Sequence, residues 1–150
     1  MATADEIKRL RDETGVSVMQ CKKALEEAGG DIEKAKGILQ KTSAITASKK
    51  ADRSLGAGVV QTYVHAGNTV AAVVVLGCET DFVARNEEFV KLAREVAMHV
   101  AAMQPESPEA LLEQPFIKDS SVSIKQLLES GTQKFGENIA VTSFGRYTVK

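Results

Sequence analysis

Apolar residues in the N-terminal part of the chain recur at helical spacing, and capping chemistry interrupts them repeatedly. Ile7 and Leu10 open a stripe that Gly15 stops, and Thr3 with Glu6 fits a capping box at its start. Ser17 with Gln20 fits a second box, ahead of Val18, Cys21, Ala24, Leu25 and Ala28 on one face, and Gly29-Gly30 ends that run. Asp31 can cap a third helix with Ile32, Ala35, Ile38 and Leu39 turned inward. Each helix is too short to be stable alone, so the pattern predicts a three-helix bundle. From Lys41 to Arg53 small residues alternate with Lys49, Lys50 and Arg53, and no large apolar face forms. This stretch reads as a linker, its helical form left open, leading to Gly56-Ala57-Gly58 and a domain boundary that divides 1–54 from 55–150.

Beyond the boundary the period changes. Val59 to His65 is rich in β-branched residues, Ala66-Gly67-Asn68 offers turn chemistry, and Thr69 to Leu76 is almost wholly apolar, which predicts a hairpin whose second strand is buried on both faces. Asn86 caps a helix with Glu87 and Glu88 in its first turn, where the helix dipole favours them. Phe89, Leu92, Ala93, Val96, Ala97 and Val100 make its buried stripe, and His99 falls one step off it as a half-exposed helix residue. Pro105, Pro108 and Pro115 mark an irregular connection with a short helical turn near Leu111 and Leu112. Ser123 with Gln126 caps a further helix, and the alternation of Ile139, Val141, Ser143, Gly145, Tyr147 and Val149 predicts a closing strand. The fold class is α+β: an N-terminal three-helix bundle, a linker, and a small antiparallel sheet packed with helices.

Composition narrows the class of function. An apolar fraction of 43% with 26% charged residues is ordinary for a soluble globular protein. The net charge of −1, with both signs mixed along the chain, argues against the basic stripe of a nucleic-acid binder. No stretch is long and charge-free enough to span a membrane, and Asp5, Glu6, Lys8 and Arg9 interrupt any signal peptide. Cys21 and Cys78 lack metal or redox spacing and read as reduced thiols of a cytoplasmic protein. His65 and His99 have no partner at ligand spacing, and no glycine-rich loop opens a helix as a phosphate cradle would. Glu79 and Asp81 without further oxygen ligands make a poor cation site, so no metal or cofactor is expected. These residues favour a binding protein over an enzyme.

The segment from Cys78 to Asn86 is the most informative. A carboxylate and a large aromatic, Asp81 and Phe82, stand side by side where a simple connection prefers Gly, Asn or Ser. A bulky apolar side chain at the C-terminal end of a strand is a plausible contact point. Spacing by itself favours the plainer outcome, a Phe tucked beneath its own helix.

Several stretches together resemble the bacterial elongation factor Ts family. Thr14 to Leu25, followed by Gly30-Asp31-Ile32-Glu33-Lys34-Ala35, is similar to that family's N-terminal domain, which is ubiquitin-associated-like (UBA-like). Cys78 to Asn86 resembles its signature loop, Met98-His99-Val100-Ala101-Ala102 its core helix, and Gln114 to Asp119 with Lys134 to Ile139 its C-terminal part. The usual member is longer, with an inserted helical segment where only Pro105 to Glu113 stands here, and the longest members carry two pseudo-repeated core halves. The single half resembles the short form, which pairs as a homodimer.

The resemblance implies a guanine nucleotide exchange factor for elongation factor Tu, not an enzyme in the usual sense. Such a factor binds the nucleotide-free partner more tightly than the GDP-bound one, so linkage makes it weaken GDP by the same ratio. It further implies that Phe82 inserts between partner helices, that Asp81 disturbs the polar network around the partner's Mg2+, and that Thr80 and Val83 shape the loop. Implied further contacts are Met19, Lys22 and Lys23 on the bundle, and His99. Val18 is expected in the core, whereas Met19 suits an adaptable surface. Two other readings stay open: a UBA-like adaptor that dimerises without altering nucleotide affinity, and a shortened factor that binds elongation factor Tu but exchanges slowly.

Overall fold

In the computed structural model, which describes residues 1–150, Thr3 caps α1 (Ala4–Thr14) with both halves of a capping box, and Gly15 ends it in the left-handed region at φ 71°. Ser17 caps α2 (Val18–Glu27) through the Gln20 amide, and Asp31 caps α3 (Ile32–Lys50) through the Lys34 amide. Leu10, Val16, Cys21, Leu25, Ala35 and Leu39 form the buried centre of this bundle. Val18 departs from expectation: it shares a face with Cys21 and Leu25 but is the first residue of α2, at the end of that face, and is 49% exposed. The stretch read as a linker is not a separate element. It continues α3 without a break to Lys50, and its small residues let α3 lie along α7.

The second part holds a three-stranded antiparallel sheet in the order β1-β2-β5, formed by β1 (Ala57–Val64), β2 (Val70–Cys78) and β5 (Ala140–Thr148). A one-turn helix α4 (Asp81–Ala84) precedes α5 (Glu87–Met103), and α6 (Pro108–Glu113) follows. A small hairpin of β3 (Pro115–Phe116) and β4 (Asp119–Ser123), absent from the sequence reading, then leads into α7 (Ile124–Phe135). No helix is long and apolar enough to cross a membrane.

Helix α5 covers one face of the sheet. Phe89, Val96, Ala97 and Val100 pack with Ala72, Val74 and Leu76, while Phe89 meets Phe135 of α7 edge-on at 5.6 Å. The expected burial of β2 on both faces is only half met: Ala72, Val74 and Leu76 are buried, whereas Ala71, Val73 and Val75 are half-buried on a face that no helix covers. The inward alternation expected for β5 fails part-way. Val141 pairs with Leu76, but a bulge at Val75/Leu76 sets Ser143 opposite Val75, so Phe144 and Arg146 turn towards α5 and Tyr147 turns out. An extra residue in one strand inverts every later side chain. Arg146 then donates from Nε to the Ala101 carbonyl at 2.9 Å.

Candidate partner-binding site

Strand β2 ends at Cys78, and the chain makes one helical turn before α5 begins. Thr80 is extended at φ −130°, and its hydroxyl accepts the Val83 amide, so it caps α4. The Ala84 and Arg85 amides donate to the Thr80 and Asp81 carbonyls, closing the turn, and Asn86 at once caps α5 by accepting the Glu88 amide at 2.9 Å. Successive residues of a helix point about 100° apart. Val83 and Ala84 therefore face the core at 5% and 7% exposure, and Asp81 and Phe82 face solvent.

Phe82 is 85% exposed. It is not tucked beneath its own helix, as spacing had favoured: Val83 takes the inward position, and a four-residue helix has no second turn under which Phe82 could fold. A large aromatic left in water forgoes about 1.5–3 kcal/mol of burial, which makes it an observation to be explained.

Two carboxylates hold the loop from behind. Glu137 accepts the amides of Glu79 and Thr80 on Oε1, each at 3.0 Å, and the Thr80 hydroxyl on Oε2 at 2.7 Å. Glu79 Oε2 accepts the Asn138 amide at 2.7 Å, and Arg53 lies 3.8 Å from Glu79 Oε1. Cys78 sits beneath them with its thiol pushed up by burial, and the charges of Glu137, Asp81 and Glu79 act in the same direction. Burial likewise pushes up the Cys21 thiol. Neither is a ready nucleophile, since thiolate is the reactive form.

The remaining residues named by resemblance lie elsewhere. Met19 is 81% exposed on α2, with Lys22 and Lys23 exposed beside it, and α2 packs on α1 and α3 and belongs to the other core cluster. His99 corrects its expectation: it is 0% exposed, not a half-exposed helix residue. The Ile117 amide donates to Nδ1 at 3.1 Å and Nε2 lies 2.9 Å from Gln114 Oε1, which fixes the neutral tautomer protonated on Nε2. Burial holds its pKa below the usual value, opposed by the Gln114 hydrogen bond. The β3–β4 hairpin, which no local pattern announced, covers the ring, and so burial could not be read from α5 alone.

Sequence reading placed Lys134 to Ile139 among the matching stretches but assigned Glu137 and Asn138 no role. The local signal was Gly136, a left-handed helix end at φ 74°, followed by two polar residues aimed back across the chain. No group of three or more His, Cys, Asp or Glu side chains gathers as a metal site. An open groove of about 670 Å³ between α3, α6 and α7 is lined mainly by apolar residues such as Ala47, Leu111, Leu128 and Val141.

Comparison with known proteins agrees along the chain. A family model described as Elongation factor TS matches residues 32–109 and 79–150, so both matches contain the loop and α5. A protein named Elongation factor Ts from Thermosipho melanesiensis is 38% identical over 194 aligned residues, covering 99% of this chain and 99% of its own length. One of that name from Herpetosiphon aurantiacus is 37% identical, covering 97% and 96%. Another from Synechococcus sp. is 38% identical, covering 95% of this chain and 67% of its own length. These alignments run to 189–194 positions against 150 residues here, so the relatives carry residues that this chain lacks.

Proposed function

The chain belongs to the elongation factor Ts family, and from that premise we propose that it exchanges GDP for GTP on elongation factor Tu through the Thr80–Val83 turn, partly by dislodging the partner's Mg2+. The observation that carries the reading is Phe82, an aromatic held out in water by a capped and internally bonded turn. It is preorganised as an interface anchor, so little ordering entropy is lost on docking. Asp81, exposed beside it, brings a negative charge towards the partner's nucleotide site and unsettles the polar groups around the ion. Thr80 caps the turn, and Val83 pins it to the core.

No bond in the nucleotide is made or broken. The factor stabilises the nucleotide-free partner, and the same coupling energy weakens GDP binding. GTP then enters because it is in excess, so concentration sets the direction. Met19, Lys22 and Lys23 on α2 supply a second contact, with the N-terminal bundle of 1–54 acting as a docking unit and 55–150 as the core. His99 supports this surface from within by holding the β3–β4 hairpin against α5.

The core further pairs with a second copy through the open sheet face. That face carries Val60, Thr62 and Val64 of β1, Val73 and Val75 of β2 and Tyr147 of β5, with no charged residue among its paired positions. Val60, Val64 and Tyr147 are 61%, 56% and 64% exposed. A contiguous uncharged patch of this kind marks an interface.

The test is stopped-flow release of a fluorescent GDP analogue from elongation factor Tu with and without the protein. Acceleration is expected; an unchanged rate at saturating protein would sink the exchange reading and leave the adaptor reading.

A further inference from the structure

Three consecutive residues after α7 join parts of the chain that are far apart in sequence. The Gly136 carbonyl accepts Lys50 Nζ at 2.7 Å, at the end of α3. Glu137 takes two backbone amides and the hydroxyl at Glu79 and Thr80. Asn138 donates from Nδ2 to the carbonyls of Ala51 at 3.3 Å and Arg53 at 2.9 Å, and from its amide to Glu79. Asn138 is 9% exposed. Its donors therefore have few water partners to fall back on, and losing them costs more than an exposed bond would.

We propose that the Gly136–Asn138 turn is a brace that sets the Thr80–Val83 loop against the end of α3, with Glu137 as the positioning residue for Phe82 and Asp81. This rests on the exchange reading of that loop. Glu137 touches neither Phe82 nor Asp81 in the hydrogen-bond network; it acts through the Thr80 cap and the Glu79–Thr80 backbone. A carboxylate suits this position because all three of its neighbours donate, and a charged acceptor makes shorter, stronger bonds than a neutral one. The brace also ties the wedge to α3, the helix that belongs to the N-terminal bundle. The two proposed contact regions thereby share one frame. A turn of four residues has no hydrophobic core of its own, so such bonds decide where it stands.

The experiment uses the full chain with GDP-loaded elongation factor Tu and separates the maximal release rate from the half-saturating concentration. Glu137→Ala is expected to lower the maximal rate by about tenfold or more, since small misplacements are costly, while moving half-saturation by less than about threefold. Glu137→Gln keeps an oxygen for the two amides and should retain at least roughly a third of the rate. An Ala variant with the wild-type maximal rate overturns the proposal, as does a loss confined to half-saturation. If the Ala variant does not fold, a double-mutant cycle of Glu137→Gln with Thr80→Val decides: coupling of about fivefold or more supports the brace, and independent effects overturn it. Amide exchange at Glu79 and Thr80 reads the brace without the partner. Protection that depends on Glu137 in a protein that fails to release GDP sinks the exchange reading alone; protection unchanged in the Ala variant sinks the brace.

Discussion

Phe82 stands 85% exposed directly beside Val83, which is 5% exposed. Neighbouring residues of one helical turn have opposite fates because Thr80 caps that turn and fixes its rotation. The same geometry gives Val83 to the core and leaves Phe82 outside it.

Phe82→Ala should therefore leave folding stability within about 0.5 kcal/mol of the wild type, as exposed positions usually do. The acceleration of GDP release at subsaturating factor should fall by at least about tenfold, the loss typical of a truncated hot spot. Thermal denaturation and stopped-flow fluorescence measure the two. A Phe82→Ala protein that melts early but exchanges normally would return the residue to plain packing.

His99 gives the protein a pH dependence. Its folded pKa lies below the ordinary 6.5, chiefly through burial. The unfolded state therefore binds more protons as pH falls below that value, and the stability contributed above it is lost on the way down through the folded pKa. Denaturant titrations should show wild-type stability declining below pH 6.5 more steeply than His99→Gln, by at most about 1.4 kcal/mol per pH unit. Parallel curves for the two proteins would show that the ring titrates as it does in water.

Val60→Glu places a charge on the open sheet face, in its edge strand β1 beside Val75 of the central strand. In the monomer the position is exposed, so the cost should stay within about 1 kcal/mol, the span of strand preferences. Sedimentation velocity at micromolar concentration should show a dimer for the wild type and a monomer for the variant. Wild-type protein that sediments as a monomer would remove the pairing proposal.

Leu25→Ala removes a fully buried side chain from the centre of the N-terminal bundle. A cost of about 2–5 kcal/mol is expected, enough to open a unit this small. Hydrogen exchange should show α1 and α2 losing protection while β2 keeps it. Equal loss in β2 would mean that both clusters unfold as one.

Most helices were legible because their signals are local. Thr3 with Glu6 and Ser123 with Gln126 form full capping boxes where their spacing announced them. The three strands of the main sheet were read at their places, but the β5 faces were not, since a bulge is a property of strand pairing and leaves no mark in one strand's sequence. The β3–β4 hairpin pairs only at Pro115–Ser123 and Phe116–Asp119, too little for any periodicity to register. Its absence from the reading also explains the misplacement of His99.

By itself the sequence determined most helix starts, though not the end of α3 or the turn of α4. It also determined the hairpin of β1 and β2, the change from a helical to a mixed segment, and the family to which the loop belongs. These depend on residues within one or two turns of each other, where chain entropy leaves few alternatives. Only the tertiary structure decided that Phe82 faces water, that His99 is sealed, and that Glu137 holds a loop 57 residues away. Each of these outcomes turns on a contact between distant segments, and burial belongs to the neighbours a residue acquires rather than to the residue.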